Sequence, residues 1–230
     1  MKRFCFSLLA VMAIAVPAAA QPAAHESPAA DPAARLEEGI SAIKAGKAAE
    51  ALAIIDPILA AYERLYAGEK RRIYCANGPT QTILYMGMAA TDHKDAVALD
   101  GHWCLALWAK GFALIDQRKV AEAVPFLQRA VDMAPVHSHY LSELAYAYQT
   151  LKRFDQSLAL YRQAESYAGF ADKGNEDFQR GRALRGMGYD LVELGKWNEA
   201  ADAYRQALKI NPDDKVAKGE LEYIAEHRKR

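Results

Sequence analysis

Runs of β-branched residues are absent from this chain, and glycine and proline are few, 14 and 9 in 230 residues. Strands and turn-rich architectures therefore have little to build on. What is abundant is Ala, Leu, Glu, Lys, Arg and Gln, the residues that lose least on entering a helix. Charge of one sign is also missing. The 29 basic and 29 acidic side chains balance, which argues against a nucleic-acid partner, since that needs a basic face to displace counterions. No H-E-x-x-H, paired C-x-x-C, glycine-rich phosphate loop or G-x-S-x-G occurs, so the common zinc, nucleotide and acyl-transfer signatures are missing. The composition points to an all-α chain without a catalytic, cofactor or metal signature.

Met1–Ala20 has the form of a secretory signal peptide: Lys2 and Arg3, an apolar run Phe4–Val16, and the small residues Ala18-Ala19-Ala20 before Gln21. The run is short for a membrane span, so export with cleavage is expected, to the periplasm of a bacterial envelope, with no membrane span in the mature chain. Cys5 leaves with the leader. Gln21–Ala34 is a Pro- and Ala-rich linker without apolar period. Asp31-Pro32 within it reads as a helix start, with an Asp cap and Pro at the first helical position.

The remainder carries an internal period. Gly188, Ala200, Tyr204, Ala207 and Pro212 set an order of small, small, aromatic, small and proline over Gly181–Asp214. Leu107, Gly111, Leu114, Ala123, Leu127, Ala130 and Pro135 keep that register over Cys104–His137. Leu141, Leu144, Ala145, Tyr148, Ser157, Tyr161, Ala164 and Gly169 keep it over Ser138–Ala171. A weaker copy spans residues 32–65, with Gly39, Ala51 and Ile55.

This pattern resembles the tetratricopeptide repeat, a pair of antiparallel helices of 34 residues. The resemblance implies a right-handed α-solenoid. Gly188 and Ala200 are expected at the contact between paired helices, with Tyr204 filling the gap to the next helix. Residues 66–103 form a degenerate insert, in which Thr80–Ala90 and Lys94–Leu99 read as short helices after a turn at Cys75–Pro79. An extra segment, Asp172–Arg180, separates the last two repeats. Residues 215–230 are amphipathic and suit a capping helix.

Repeats of this family usually bind peptides or helices on a concave face lined by first helices. Carried over by position, that face takes Leu105, Trp108, Phe112 and Ile115, then His139, Ser142, Tyr146 and Gln149, then Arg182, Arg185, Tyr189 and Val192. The expected partner-binding set is Trp108, Phe112, His139, Tyr146, Gln149, Arg182, Arg185 and Tyr189. Two arginines flanked by tyrosines suit an acidic, partly apolar peptide. The alternative for the same side chains is packing for Trp108 and Phe112 and a solvated face for the arginines. Some members clamp a terminal carboxylate with Lys and Asn; Leu36 and Ile40 stand at those positions here, so that clamp is not expected.

Cys75 and Cys104 remain after leader removal. In an exported chain an even pair suggests a disulfide; two buried thiols are the alternative. His137 and His139, two residues apart, would point to different helix faces, and neither they nor His102 has the further ligands a zinc site needs. The function implied is a non-catalytic protein-interaction scaffold. The alternatives are an enzyme or metal-binding protein with its site in residues 73–103, or a structural subunit of an envelope complex.

Overall fold

A computed structural model of the chain describes residues 32–170 and 174–227. The leader, most of the linker and the Asp31 cap lie outside the described residues. The element order is α1 (Pro32–Lys44), α2 (Ala48–Leu65), β1 (Arg72–Cys75), α3 (Pro79–Thr91), β2 (Ala96–Leu99), α4 (His102–Asp116), α5 (Val120–Met133), α6 (Ser138–Thr150) and α7 (Phe154–Ser166). A 3₁₀ turn (Ala168–Phe170) follows, then α8 (Glu176–Glu193), α9 (Trp197–Ile210) and α10 (Lys215–His227). The fold is an all-α solenoid of helix pairs, α1/α2, α4/α5, α6/α7 and α8/α9, closed by α10.

One contact recurs in three of the four pairs. A small residue on the first helix meets a large one sixteen positions later on the second: Gly39 with Ile55, Gly111 with Leu127, Gly188 with Tyr204. A Cβ added to Gly188 would come within 2.6 Å of the Tyr204 ring. Tyr204 thus lies against its own repeat, not only toward the next helix as the sequence suggested. Tyr161 does bridge repeats, because its ring lies on Gly186 of α8. Ala51, Ala123, Ser157 and Ala200, the second small position, are all fully buried.

The turns within pairs repeat as strictly. Gly46, Arg118, Lys152 and Gly195 have φ of 71, 62, 59 and 71°, each seven residues after the small position. The next N–H then reaches back into the finished helix, as in Lys47 to Ala42 O at 2.9 Å and Lys196 to Leu191 O at 2.7 Å. This is the left-handed closure that ends a helix and reverses the chain. Glycine takes that backbone without cost, whereas Arg118 and Lys152 adopt it with a Cβ in place.

The insert differs from expectation. Lys94–Leu99 does not form a helix: Ala96–Leu99 is a strand, paired in parallel with Arg72–Cys75 in the register Arg72↔Ala96 to Cys75↔Leu99. A run of four small and branched apolar residues does not distinguish strand from helix by period; a tertiary partner decides. Helix α3 is the crossover that parallel pairing requires. It starts at Pro79 after Gly78, whose φ is 99°. Tyr74 and Tyr85, both fully buried, stack with centroids 5.1 Å apart and hold α3 to the sheet. Two boundaries also move. Residues 32–34 of the linker are the first turn of α1, and Glu176–Arg180 are the first turns of α8, not a separate segment.

Cys75 and Cys104 form a disulfide with Cα atoms 6.1 Å apart. It joins the end of β1 to the first turn of α4. The closed loop of 29 residues corresponds to about 3–4 kcal/mol in the loop-entropy account.

The recurrent contact makes a prediction. Gly188→Ala gains about 1 kcal/mol of helix propensity but drives a methyl into a buried ring. The expected net loss is about 1–2 kcal/mol in urea unfolding. An unchanged midpoint would remove the contact from its structural role.

Candidate functional site

First helices α1, α4, α6 and α8 lie side by side on the inner face. Side chains from all four and two turns of the insert line an open pocket of about 620 Å³. Ile40 comes from α1, Leu105 and Trp108 from α4, His139 and Tyr140 from α6, and Gln179 from α8. Ala76–Gly78 and Asp100–His102 form the insert's wall, and His137 precedes α6. The disulfide stands directly behind that wall, since Cys75 and Cys104 flank its two segments.

His137 and His139 both line this pocket, contrary to the expectation of opposite faces. The helix begins at Ser138, and His137 has the extended backbone of a residue outside it, φ −83° and ψ 95°; helical spacing does not apply to it. The His137 ring stacks on Tyr140 at 3.7 Å, and Asn77 Nδ2 stands 3.4 Å from its Nε2. Trp108 lies 5.6 Å from Phe112 and 5.0 Å from His139, centroid to centroid. Trp108 and Phe112 therefore pack on one another and on α6 rather than standing free. Asp100 accepts hydrogen bonds from the His102 backbone at 3.1 Å and is 3.0 Å from His102 Nδ1.

The arginines are not free cations. Arg182 donates to Glu143 Oε1 at 2.8 Å and to His139 Nδ1 at 3.0 Å. That fixes the neutral imidazole with its proton on Nε2. Burial first, and the Arg182 charge second, push the His139 pKa down to about 4. Arg185 donates to Asp214 Oδ2 at 2.7 Å, while Asp214 Oδ1 caps α10 through the Val216 and Ala217 N–H groups. Burial alone would raise the Asp214 pKa; the Ala217 N–H, Arg185 and the Val216 N–H hold it lowered. The basic character expected at this end of the groove is neutralised by Glu143 and Asp214, which the repeat alignment treats as ordinary positions. The Pro-Asp-Asp-Lys sequence ahead of an amphipathic helix was a legible cap signal for Asp214.

Tyr146 and Tyr189 keep the exposure expected of them, at 43% and 42%. Gln149 turns inward, donating to Gly186 O at 3.3 Å and Asp190 Oδ1 at 2.9 Å. Ser142 is fully buried and Leu105, Ile115 and Val192 are half-buried. Asp190 was not foreseen. It is fully buried, and desolvation raises its pKa to about 6 against the pull of Ser157 and Gln149. Ser157 Oγ and Asp190 Oδ2 each lack a well-formed hydrogen bond.

Among the described residues no group of three or more His, Cys, Asp or Glu is placed to hold a metal ion. No described helix is long and apolar enough to cross a membrane. In the insert, Asp92 pairs with Arg72 at 3.2 Å and His93 closes α3 in the left-handed conformation.

Two family models of the tetratricopeptide repeat match the chain, over residues 109–175 and 181–214; the chain carries tetratricopeptide repeats. A curated relative is the small glutamine-rich tetratricopeptide repeat-containing protein 2 of Mycosarcoma maydis, 23% identical over 112 residues. Those are 49% of this chain and 29% of the relative, so the chain spans less than a third of that protein's length. Among solved structures, MamA MSR-1 is similar over 86% of this chain and 87% of its own, with TM-score 0.55 and 18% identity. The first repeat domain of Spaghetti (RPAP3), bound to the HSP90 peptide SRMEEVD, is similar over 57% of this chain and 98% of its own, with TM-score 0.51 and 24% identity. These likenesses establish the solenoid fold.

Asp190 gives a pH prediction. Its pKa is raised from 3.8 to about 6 on folding, so the folded state favours the protonated acid. The carboxyl costs nothing below the unfolded pKa, and its penalty grows as pH rises from about 4 through about 6. At neutral pH the penalty is roughly 3 kcal/mol. Asp190→Asn keeps the Gln149 bond and removes the charge. Urea unfolding should show the variant overtaking wild type as pH rises from 4 to 7. A constant difference across that range would reject the assignment.

Proposed function

We propose that the protein is a non-catalytic interaction scaffold that holds an extended or helical segment of a partner protein on its inner face. The observation that carries this is the pocket shared by α1, α4, α6 and α8, continued along the face by the exposed Tyr146 and Tyr189 rings. Rigid repeats preorganise such a surface and lower the ordering cost of binding. An acidic partner was expected from free arginines. With Arg182 and Arg185 committed to Glu143 and Asp214, apolar and aromatic complementarity is the better-supported basis. The test is affinity capture with the mature chain as bait. Tyr146→Asp with Tyr189→Asp should lose capture while leaving the melting temperature within a few degrees, because both rings are exposed. Capture retained in full would place binding elsewhere. The exposed Ile83 and Met86 of α3, 73% and 37% accessible, are the surface that would then support a structural role in an envelope complex.

The site of action we propose is the periplasm, reached by cleavage after Ala20. The leader-like sequence and the Cys75–Cys104 bond, which persists in oxidising compartments, support it. Mass spectrometry of the exported form without reductant should find a chain beginning at Gln21 with the two cysteine peptides linked. A chain retaining Met1, or free thiols, would count against export.

A further inference from the structure

The row of first helices continues past the last repeat into α10, and one position along it keeps its chemistry. Tyr146, Tyr189 and Tyr223 each follow the start of their unit, Ser138, Gly181 and Lys215, by eight residues. The next residue in each case, Ala147, Asp190 or Ile224, is buried, so α10 holds the register of a first helix. The three rings are 43%, 42% and 43% exposed. Two of them are held by the same contact in successive units. Phe154, the first residue of α7, stands 6.4 Å from Tyr189, and Trp197, the first residue of α9, stands 6.3 Å from Tyr223. His227 stacks on Tyr223 at 4.0 Å. Rings posed in this way lose little freedom on binding.

The charge along this row is negative. Each tyrosine stands four residues before the last residue of its helix, Thr150, Glu193 or His227, near the carbonyl end that carries the helix's negative pole. The last two turns of these helices, residues 143–150, 186–193 and 220–227, contain no lysine or arginine, whereas α8 and α10 bring Glu193, Glu220, Glu222 and Glu226 there. Among the described residues none of these four glutamates forms an ion pair. Burial, then the charges of Glu193, Asp190 and Glu220, raise the pKa of the Tyr189 hydroxyl. The cations nearby do not reverse this. Arg182, Arg185 and Lys218, earlier on the same helices, pair with Glu143, Asp214 and Asp213. Lys152, Arg153 and Lys196 belong to the turns beyond the helix ends, with Arg153 laid over Tyr148. Arg228, Lys229 and Arg230 lie outside the described residues.

We propose that the row Tyr146, Tyr189 and Tyr223 is the docking surface for an extended, arginine-bearing segment of a partner protein. The proposal rests on the scaffold role and adds the chemistry of the partner. A guanidinium can stack on a tyrosine ring and donate in a fork to a carboxylate. Glu193, one turn on from Tyr189, and Glu220, one turn before Tyr223, supply carboxylates along the row. Packed neighbouring helices stand about 10 Å apart, the length of about three residues of extended chain. Arginines at every third position therefore match the spacing of the rungs. An acidic segment would instead meet three helix ends and four glutamates, with no lysine or arginine on the same turns.

The test uses the whole mature chain and three labelled glycine-serine peptides with arginine, glutamine or glutamate at every third position, followed by fluorescence anisotropy. The arginine peptide should bind tightest, lose affinity as salt is added, and exceed the glutamate peptide most. Glu193→Gln with Glu220→Gln should weaken it about fivefold, the combined effect of two exposed ion pairs, and leave the glutamine peptide unaltered. Glu193→Gln alone, at an exposed site, should give part of that loss and keeps the test open if the double variant fails to fold. Tyr223→Leu should weaken the arginine peptide about threefold through the lost ring contact. Glu37→Gln with Glu38→Gln, the same charge change at exposed sites on α1, should leave it unchanged. Arginine binding no tighter than glutamine or glutamate overturns the proposal, as does full affinity in the Glu193 and Glu220 variants, or an equal loss in the α1 variant. Capture lost with Tyr146 and Tyr189 while no peptide shows arginine preference leaves the scaffold role standing and removes only the basic partner. Arginine-selective binding with capture indifferent to those tyrosines does the reverse.

Discussion

Helix pairs close because a residue without bulk faces one with bulk, sixteen positions on. Gly39 over Ile55, Gly111 over Leu127 and Gly188 over Tyr204 let the helices of three pairs approach closely, and Ala145 stands in the same register with Tyr161 in the fourth. Stacking then repeats the same step along the solenoid. The left-handed residue seven positions after each small one is tied to this spacing, because the turn must fall where the two helices are already in contact. The inner face, with its side-by-side first helices, follows from those two constraints. Its pocket is therefore a property of the repeat spacing before it is a property of any residue that lines it.

Most of the repeat architecture was legible because it is written in residue size at fixed intervals, and size does not depend on distant partners. Gly188 and Ala200 could be placed from sequence for that reason. The insert was not legible in the same way. Ala96–Leu99 is a strand only because Arg72–Cys75 lies beside it, and four apolar residues carry no period long enough to say so. The disulfide was within reach because setting aside the expected leader leaves an even pair of cysteines, and parity is read from the sequence alone.

The site was read less well, and for an electrostatic reason. Family positions gave a set of side chains expected to line the groove, and among them Tyr146 and Tyr189 are exposed. They did not tell whether an inward cation is available. Arg182 and Arg185 are consumed by Glu143 and Asp214, whose own positions in the repeat have no fixed chemistry. The same limit hid Asp190, a buried carboxyl whose partner Gln149 was read as a groove residue. Residue direction follows from periodicity; ion pairing between neighbouring repeats follows only from the assembled stack.

The pocket's lining extends from Ile40 to Gln179, so one cavity depends on four helix pairs and the insert. A linear array is ordinarily free to fray from either end, each unit answering only to its neighbours. A guest held jointly by the first and fourth pairs ties the ends of that array to one equilibrium. Opening of any intervening unit must then expel the guest, and binding raises the opening free energy of all of them together by mass action. Occupancy would turn a chain of semi-independent units into a single cooperative body. Amide protons far from the cavity, on α2 or α9, would exchange more slowly when it is filled.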